Sequence, residues 1–263
     1  MTINNSTTQQ NPTPGAENGP TNKVTRLRFG ACTDVGRVRT GNEDAHRVCR
    51  NGAVVCDGLG GHAAGEFASD IAATVIGTEI DRGIATPEQL GEAVQLANIT
   101  VYSDAQQNPQ RRGMGTTAVA IAPLPGDDRR VAVANSGDSG AYLYRSGDFI
   151  PVTKPHNIGQ ELIDGGMDPA EANARWDAHM LTNAVGLEPE VRVDVYVVRV
   201  EPGDRFLLAS DGLTDMVGPE DIAELLWRHR DPQECAGKLV DLANERGGVD
   251  NISVVIADVT EVA

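Results

Sequence analysis

Leu207-Leu208-Ala209-Ser210-Asp211-Gly212 is an apolar strand that runs straight into an acidic turn. Val54-Val55-Cys56-Asp57-Gly58 has the same design. A third carboxylate, Asp250, sits in Gly247-Gly248-Val249-Asp250-Asn251, immediately before the apolar run Ile252–Val259. Any one Asp-Gly is an ordinary turn dipeptide. Three acids at the ends of apolar strands are harder to dismiss. In antiparallel neighbours the end of one strand lies beside the start of the next, so the three are expected to converge on one rim of a sheet.

Outward from these segments, further β-branched runs predict strands at Val24–Thr33, Ala53–Cys56, Thr116–Ala122, Arg130–Ala134, Ala141–Arg145, Val191–Val200 and Phe206–Ala209. Arg145-Ser146-Gly147-Asp148 reads as a hairpin turn into a strand at Phe149. Phe67, Ile71, Val75 and Ile76 keep one helical face apolar after Gly65. Thr86-Pro87-Glu88-Gln89 is a capping box with Pro at the first helical position, opening a helix to about Gln107. Asp231-Pro232-Gln233-Glu234 repeats it, Gly218-Pro219-Glu220-Asp221 starts another helix, and Asp168-Pro169-Ala170-Glu171 marks a short one. Strands fall in two groups around a helix pair, with two more helices between the last strands. Strict βαβα alternation is missing. The expected fold is α+β, a four-layer α-β-β-α sandwich of two mostly antiparallel sheets with helices outside.

The 263 residues carry 22 basic and 38 acidic side chains, a net charge of −16. That field disfavours nucleic acid and anionic membranes as partners. Residues 1–23 are almost devoid of large apolar side chains and are expected to be a disordered tail, with 24–263 a single domain. No secretory signal or long apolar span is evident, so a cytoplasmic protein is expected. Cys32, Cys49, Cys56 and Cys235 form no CxxC pair, and the residue six positions after each is Val38, Val55, His62 or Asp241 rather than Arg. A disulfide framework, a zinc site and a cysteine nucleophile with a phosphate-cradling Arg are all disfavoured.

Clustered carboxylates repel, and without a cation at least one is strongly raised in pKa. With no His or Cys ligand set, the ion that relieves this is hard: Mg²⁺ or Mn²⁺. Glu43-Asp44 and Asp138 add acids at other strand ends, each of which could equally be an ordinary turn acid. Asp57-Gly58-Leu59-Gly60-Gly61-His62 is a glycine-rich turn into a helix but no P-loop, since no Gly-Lys-Ser/Thr follows. His62 reads either as a general acid or as a solvent-facing cap, and Arg39 either as a phosphate fork or as a surface ion pair.

Together these pieces resemble the metal-dependent serine/threonine protein phosphatases of type 2C in their bacterial form. The matching stretches, in family order, are Thr33 to Ala45, Asp57 to Glu66, Gly113 to Thr117, Gly137 to Ser139, Leu208 to Met216 and Gly247 to Val254. The resemblance implies two packed antiparallel sheets flanked by helices with two Mn²⁺ or Mg²⁺ ions between them. By position, Asp57 would bridge both ions, the Gly58 carbonyl would ligate one, and Asp211 and Asp250 the other. Glu43 would act through metal-bound water, and Asp138 with Asp211 matches the place of a third ion. Asp44 and Asn251 would stand just behind these ligands. Arg39 matches the phosphate-binding arginine and His62 the proton donor to the leaving alcohol. The implied reaction is hydrolysis of phosphoserine or phosphothreonine on proteins by a metal-bridging hydroxide, with no phosphoenzyme. The implied partners are phosphorylated products of a serine/threonine kinase, and a monomer is expected.

Four positions depart from the family pattern: Leu59 for Met, Gly140 for Arg, Pro155 for Asp and Asn183 for Arg. None is a ligand position. The last three suggest that a charge network near the segment from about Lys154 to Asn183 was removed as a set. A catalytically inactive relative that binds phosphoproteins, and a purely structural cation-binding domain, are the competing readings.

Overall fold

The computed structural model describes residues 25–60, 64–126 and 129–260. The expected tail lies outside them. The elements, in order, are strands β1 (Arg26–Asp34), β2 (Ala45–Cys49), β3 (Gly52–Cys56) and β4 (Gly58–Leu59), then helices α1 (Ala64–Arg82) and α2 (Pro87–Gln107). Strands β5 (Gly115–Thr116), β6 (Ala118–Leu124), β7 (Arg130–Ser136), β8 (Gly140–Arg145) and β9 (Asp148–Pro151) follow. Short helices α3 (Ile158–Asp164) and α4 (Pro169–Asn173) precede β10 (Asp194–Arg199) and β11 (Arg205–Ala209). The chain closes with α5 (Asp211–Thr214), α6 (Pro219–Arg228), α7 (Pro232–Glu245) and β12 (Ile252–Thr260).

Two five-stranded sheets, ordered β1-β12-β11-β8-β9 and β10-β7-β6-β3-β2, carry the fold. Every pairing within them is antiparallel. Their inner strands read as continuous apolar runs because both faces are covered. Ala53, Val55, Val119, Phe206, Leu208 and Val255 meet between the sheets. The alternate residues Val54, Cys56 and Ala120 pack under α1 and α2. Leu207, Ala209, Val254 and Ile256 pack under α6 and α7. This is the expected four-layer sandwich.

The capping signals hold. The Thr86 hydroxyl accepts from the Gln89 N–H and Asp231 Oδ1 from the Glu234 N–H, with Pro next in both cases. The Ser146-Gly147 turn has φ of 55° and 101°, the left-handed pair a tight hairpin needs.

Several expectations are corrected. Strand β2 was not anticipated, because Ala45-His46-Arg47-Val48-Cys49 has neither an apolar run nor clean alternation. The run at Thr116–Ala122 is split, with Thr117 between β5 and β6, and the strand expected from Val191 begins at Asp194. Helices α3 and α5 are too short to show a period. The three acids do not share one rim of one sheet. Asp57 leaves β3 in one sheet, while Asp211 and Asp250 flank β11 and β12 in the other. No described helix is long and apolar enough to cross a membrane.

Candidate metal centre

At the ends of the two sheets lies a cleft of about 320 Å³. Of its lining residues, Asp57 follows β3 and Gly58 opens β4, Asp211 opens α5 just after β11, and Asp250 and Asn251 immediately precede β12. Arg39 and Glu43 come from the loop between β1 and β2, and Asp138 from the turn between β7 and β8. His179 and Leu181 also line the cleft. Of the sequence-predicted residues, His62 lies outside the described residues. Asp44 stands behind the cleft rather than on its wall.

Backbone hydrogen bonds set these positions. The Asp57 carbonyl accepts from the Thr117 N–H and the Thr116 hydroxyl, each at 2.8 Å, and the Asp57 N–H donates to Thr117 Oγ1 at 2.9 Å. Asn251 Oδ1 accepts from the Glu43 N–H at 2.8 Å, and its amide donates to the carbonyls of Val35 and Gly41 at 2.9 Å. One side chain thus ties the Arg39–Glu43 loop to β12. Glycine is needed at two close approaches: a Cβ on Gly58 would overlap the Glu43 and Gly65 carbonyls, and one on Gly65 would overlap Glu43 Oε2.

The electrostatics are those of crowded acids. Burial, then the charges of Asp44, Asp211, Asp138 and Asp250, pushes Asp57 well above the ordinary carboxylate range. Burial and Asp211 push Asp138 up to about 7. Burial, Asp215 and Asp250 raise Asp211, against a hydrogen bond to Asp57. Asp44 is raised chiefly by burial; its Oδ2 accepts from the Ser210 hydroxyl at 2.7 Å, and its buried Oδ1 has no partner. Arg39 Nη2 pairs with Asp250 Oδ2 at 2.7 Å.

This donor set suits a hard divalent ion. Its acids offer oxygen, burial and crowding raise Asp57, Asp138 and Asp211, and a buried carboxylate oxygen behind them lacks a donor; the His179 imidazole also lines the cleft. Among the described residues no three acidic, imidazole or thiol side chains close around one point as a finished ligand set.

The sequence reading overlooked the hydroxyl layer. Ser139 Oγ meets Thr117 Oγ1 at 2.6 Å, and Ser210 Oγ accepts from the Ser253 N–H at 2.9 Å. Hydroxyls carry no spacing signal, and only proximity reveals them. His179 was overlooked for the same reason. Nor is the segment around Asn183 stripped of polar contacts: His156 Nε2 and Arg192 Nη2 meet Asp194 Oδ2 at 3.1 and 2.7 Å, beside Asn183.

Known proteins resemble this chain over most of its length. A family model described as protein phosphatase 2C matches residues 36–242. The serine/threonine protein phosphatase PstP of Mycobacterium tuberculosis is 37% identical over 239 residues, 89% of this chain; the chain spans 45% of that relative's length. The protein phosphatase PhpP of Streptococcus pneumoniae is 33% identical over 246 residues, covering 89% of this chain and 98% of that protein. The crystal structure of the PstP catalytic domain with two manganese ions superposes with a TM-score of 0.80 at 35% identity, covering 90% of this chain and 100% of that one. The chain belongs to the protein phosphatase 2C family.

Proposed function

We propose that this chain hydrolyses phosphoserine and phosphothreonine esters on proteins with the help of two Mn²⁺ or Mg²⁺ ions, using water directly and forming no phosphoenzyme. The observation that carries the reading is the cleft itself: buried acids from both sheets, raised in pKa, share it with the Arg39 guanidinium. Asp57, Asp211, Asp250 and the Gly58 carbonyl would hold the two ions, with Glu43 acting through water, and Asp138 would help hold a third. When bound, such ions lower the pKa of a coordinated water and neutralise phosphoryl oxygens.

The chain's own groups do the rest. Arg39, 56% exposed at its side chain, can swing from Asp250 and fork onto the phosphoryl oxygens. Asn251 fixes the loop that carries it. Asp44 supports the acids from behind. His62 is proposed to deliver the proton to the leaving alkoxide, completing general acid catalysis. Thiol chemistry has no support. No cysteine lines the cleft, and burial pushes the Cys49 and Cys235 thiols up to about 11 and Cys56 further. The substrates would be proteins phosphorylated by a serine/threonine kinase. Residues 24–263 would act as one catalytic unit, as a monomer.

The test is hydrolysis of p-nitrophenyl phosphate and of a phosphothreonine peptide with Mn²⁺. Activity abolished by EDTA and by Asp57→Asn is expected. Tight Mn²⁺ binding without turnover of either substrate would instead favour a non-catalytic phosphoprotein-binding relative.

A further inference from the structure

The turn Ser136-Gly137-Asp138 joins β7 of one sheet to β8 of the other and aims Asp138 at Asp211. The turn therefore decides where Asp138 stands relative to Asp211. Gly137 has φ of +105°, and a Cβ there would lie 2.6 Å from Thr117 Cγ2. Its carbonyl accepts from the His156 N–H at 2.9 Å and from Asn135 Nδ2 at 3.1 Å. Its N–H donates to His156 Nδ1 at 3.2 Å. His156 is buried, with Nε2 against Asp194 Oδ2 at 3.1 Å. That carboxylate keeps the ring proton on Nε2 and leaves Nδ1 as an acceptor.

Asn183 completes the arrangement. Its amide nitrogen lies within donating distance of His156 Nδ1 and Ser136 Oγ, both at 2.9 Å, and of the Arg192 carbonyl at 3.0 Å. Its Oδ1 accepts from the Arg192 N–H at 2.9 Å. The Thr182 N–H donates to the His156 carbonyl at 2.9 Å. Both ends of the segment from 156 to 183 therefore close on each other and on the turn that carries Asp138.

We propose that Asn183 and His156 are positioning residues that clamp the Gly137 turn, hold Asp138 in the acidic cleft beside Asp211, and fasten it to the 156–183 segment. The inference rests on the reading of Asp138 as a cation ligand. Groups that orient a ligand without touching the ion change metal affinity by roughly 10- to 100-fold when altered. Asn183→Asp is the informative variant. It keeps the shape and the Oδ1 acceptor but loses the amide donor. A carboxylate beside Nδ1 also favours the doubly protonated ring, leaving the Gly137 N–H with no acceptor.

Mn²⁺ binding to the full chain, followed by isothermal titration, tests the clamp in Asn183→Asp, Asp138→Asn and the double variant. Asn183→Leu serves as a second probe, and circular dichroism verifies that each protein is folded. Asp138→Asn identifies the Mn²⁺ equivalent that depends on Asp138. Asn183→Asp is expected to weaken that same equivalent by roughly 10- to 100-fold, to leave the others within about twofold, and to add nothing to Asp138→Asn. Folded Asn183 variants that bind every equivalent as the parent does would overturn the clamp alone. An Asp138→Asn protein with unaltered Mn²⁺ binding would overturn the reading of Asp138, and the inference with it.

Discussion

Asp138→Asn should stabilise the metal-free protein at neutral pH and cost it stability once Mn²⁺ is present. Asparagine has nearly the size and shape of the acid but is permanently neutral. In the folded chain burial and Asp211 raise Asp138 from 3.8 to about 7. Below pH 3.8 the acid is protonated whether the chain is folded or not, and the proton's contribution is fully present. As pH rises toward 7 the unfolded chain releases the proton while the folded chain keeps it, so the parent loses stability across that window. A shift of this size is worth about 4 kcal/mol at most, at 1.36 kcal/mol per pH unit. Water entering the open cleft will reduce it, and about 2 kcal/mol is a reasonable expectation. For a chain of this length that is roughly 4–8 °C in Tm. Thermal unfolding in EDTA at pH 4.5 and pH 8 measures it. The variant should lead by that margin at pH 8 and by little at pH 4.5, and excess Mn²⁺ should reverse the order. A gap no larger at pH 8 than at pH 4.5 would refute the argument from crowded, buried acids.

Four other outcomes follow from particular contacts. Asp57→Asn should lower kcat/KM on p-nitrophenyl phosphate by at least about 10³, since several kcal/mol of transition-state stabilisation depend on the ions it would hold; steady-state kinetics at saturating Mn²⁺ decides this. Arg39→Lys keeps the charge but loses the fork, so KM for a phosphopeptide should rise roughly tenfold with a smaller change in kcat. Gly137→Ala forces a left-handed residue and a 2.6 Å contact with Thr117, and should cost about 2 kcal/mol or more in urea unfolding. Arg205, with a side chain only 6% exposed, meets Asp258 at 2.6 Å and donates to the Leu226 and Arg230 carbonyls at 2.7 Å. Arg205→Ala should destabilise by about 3–5 kcal/mol, because it strands a partly buried acid and its carbonyl partners; a loss under 1 kcal/mol would show that water repairs the site.

What could be read in the sequence was local. The capped starts at Thr86 and Asp231, the Ser146-Gly147 turn and the apolar runs depend on neighbours a few residues away, so they are visible before folding. The six ordered motifs also pointed to Asp57, Asp211 and Asp250, which the fold brings to one cleft. What the residue string left open was non-local. Antiparallel pairing alone would allow all three acids on one rim; only the packing of two sheets face to face brings Asp57 across to Asp211 and Asp250. The raised carboxylates exist only because tertiary burial removes water from them. The Asn183–His156 clamp joins positions whose roles no spacing encodes, since a hydrogen bond between distant residues is a fact of proximity. Short-range propensity chose the elements, and long-range burial turned their ends into a site.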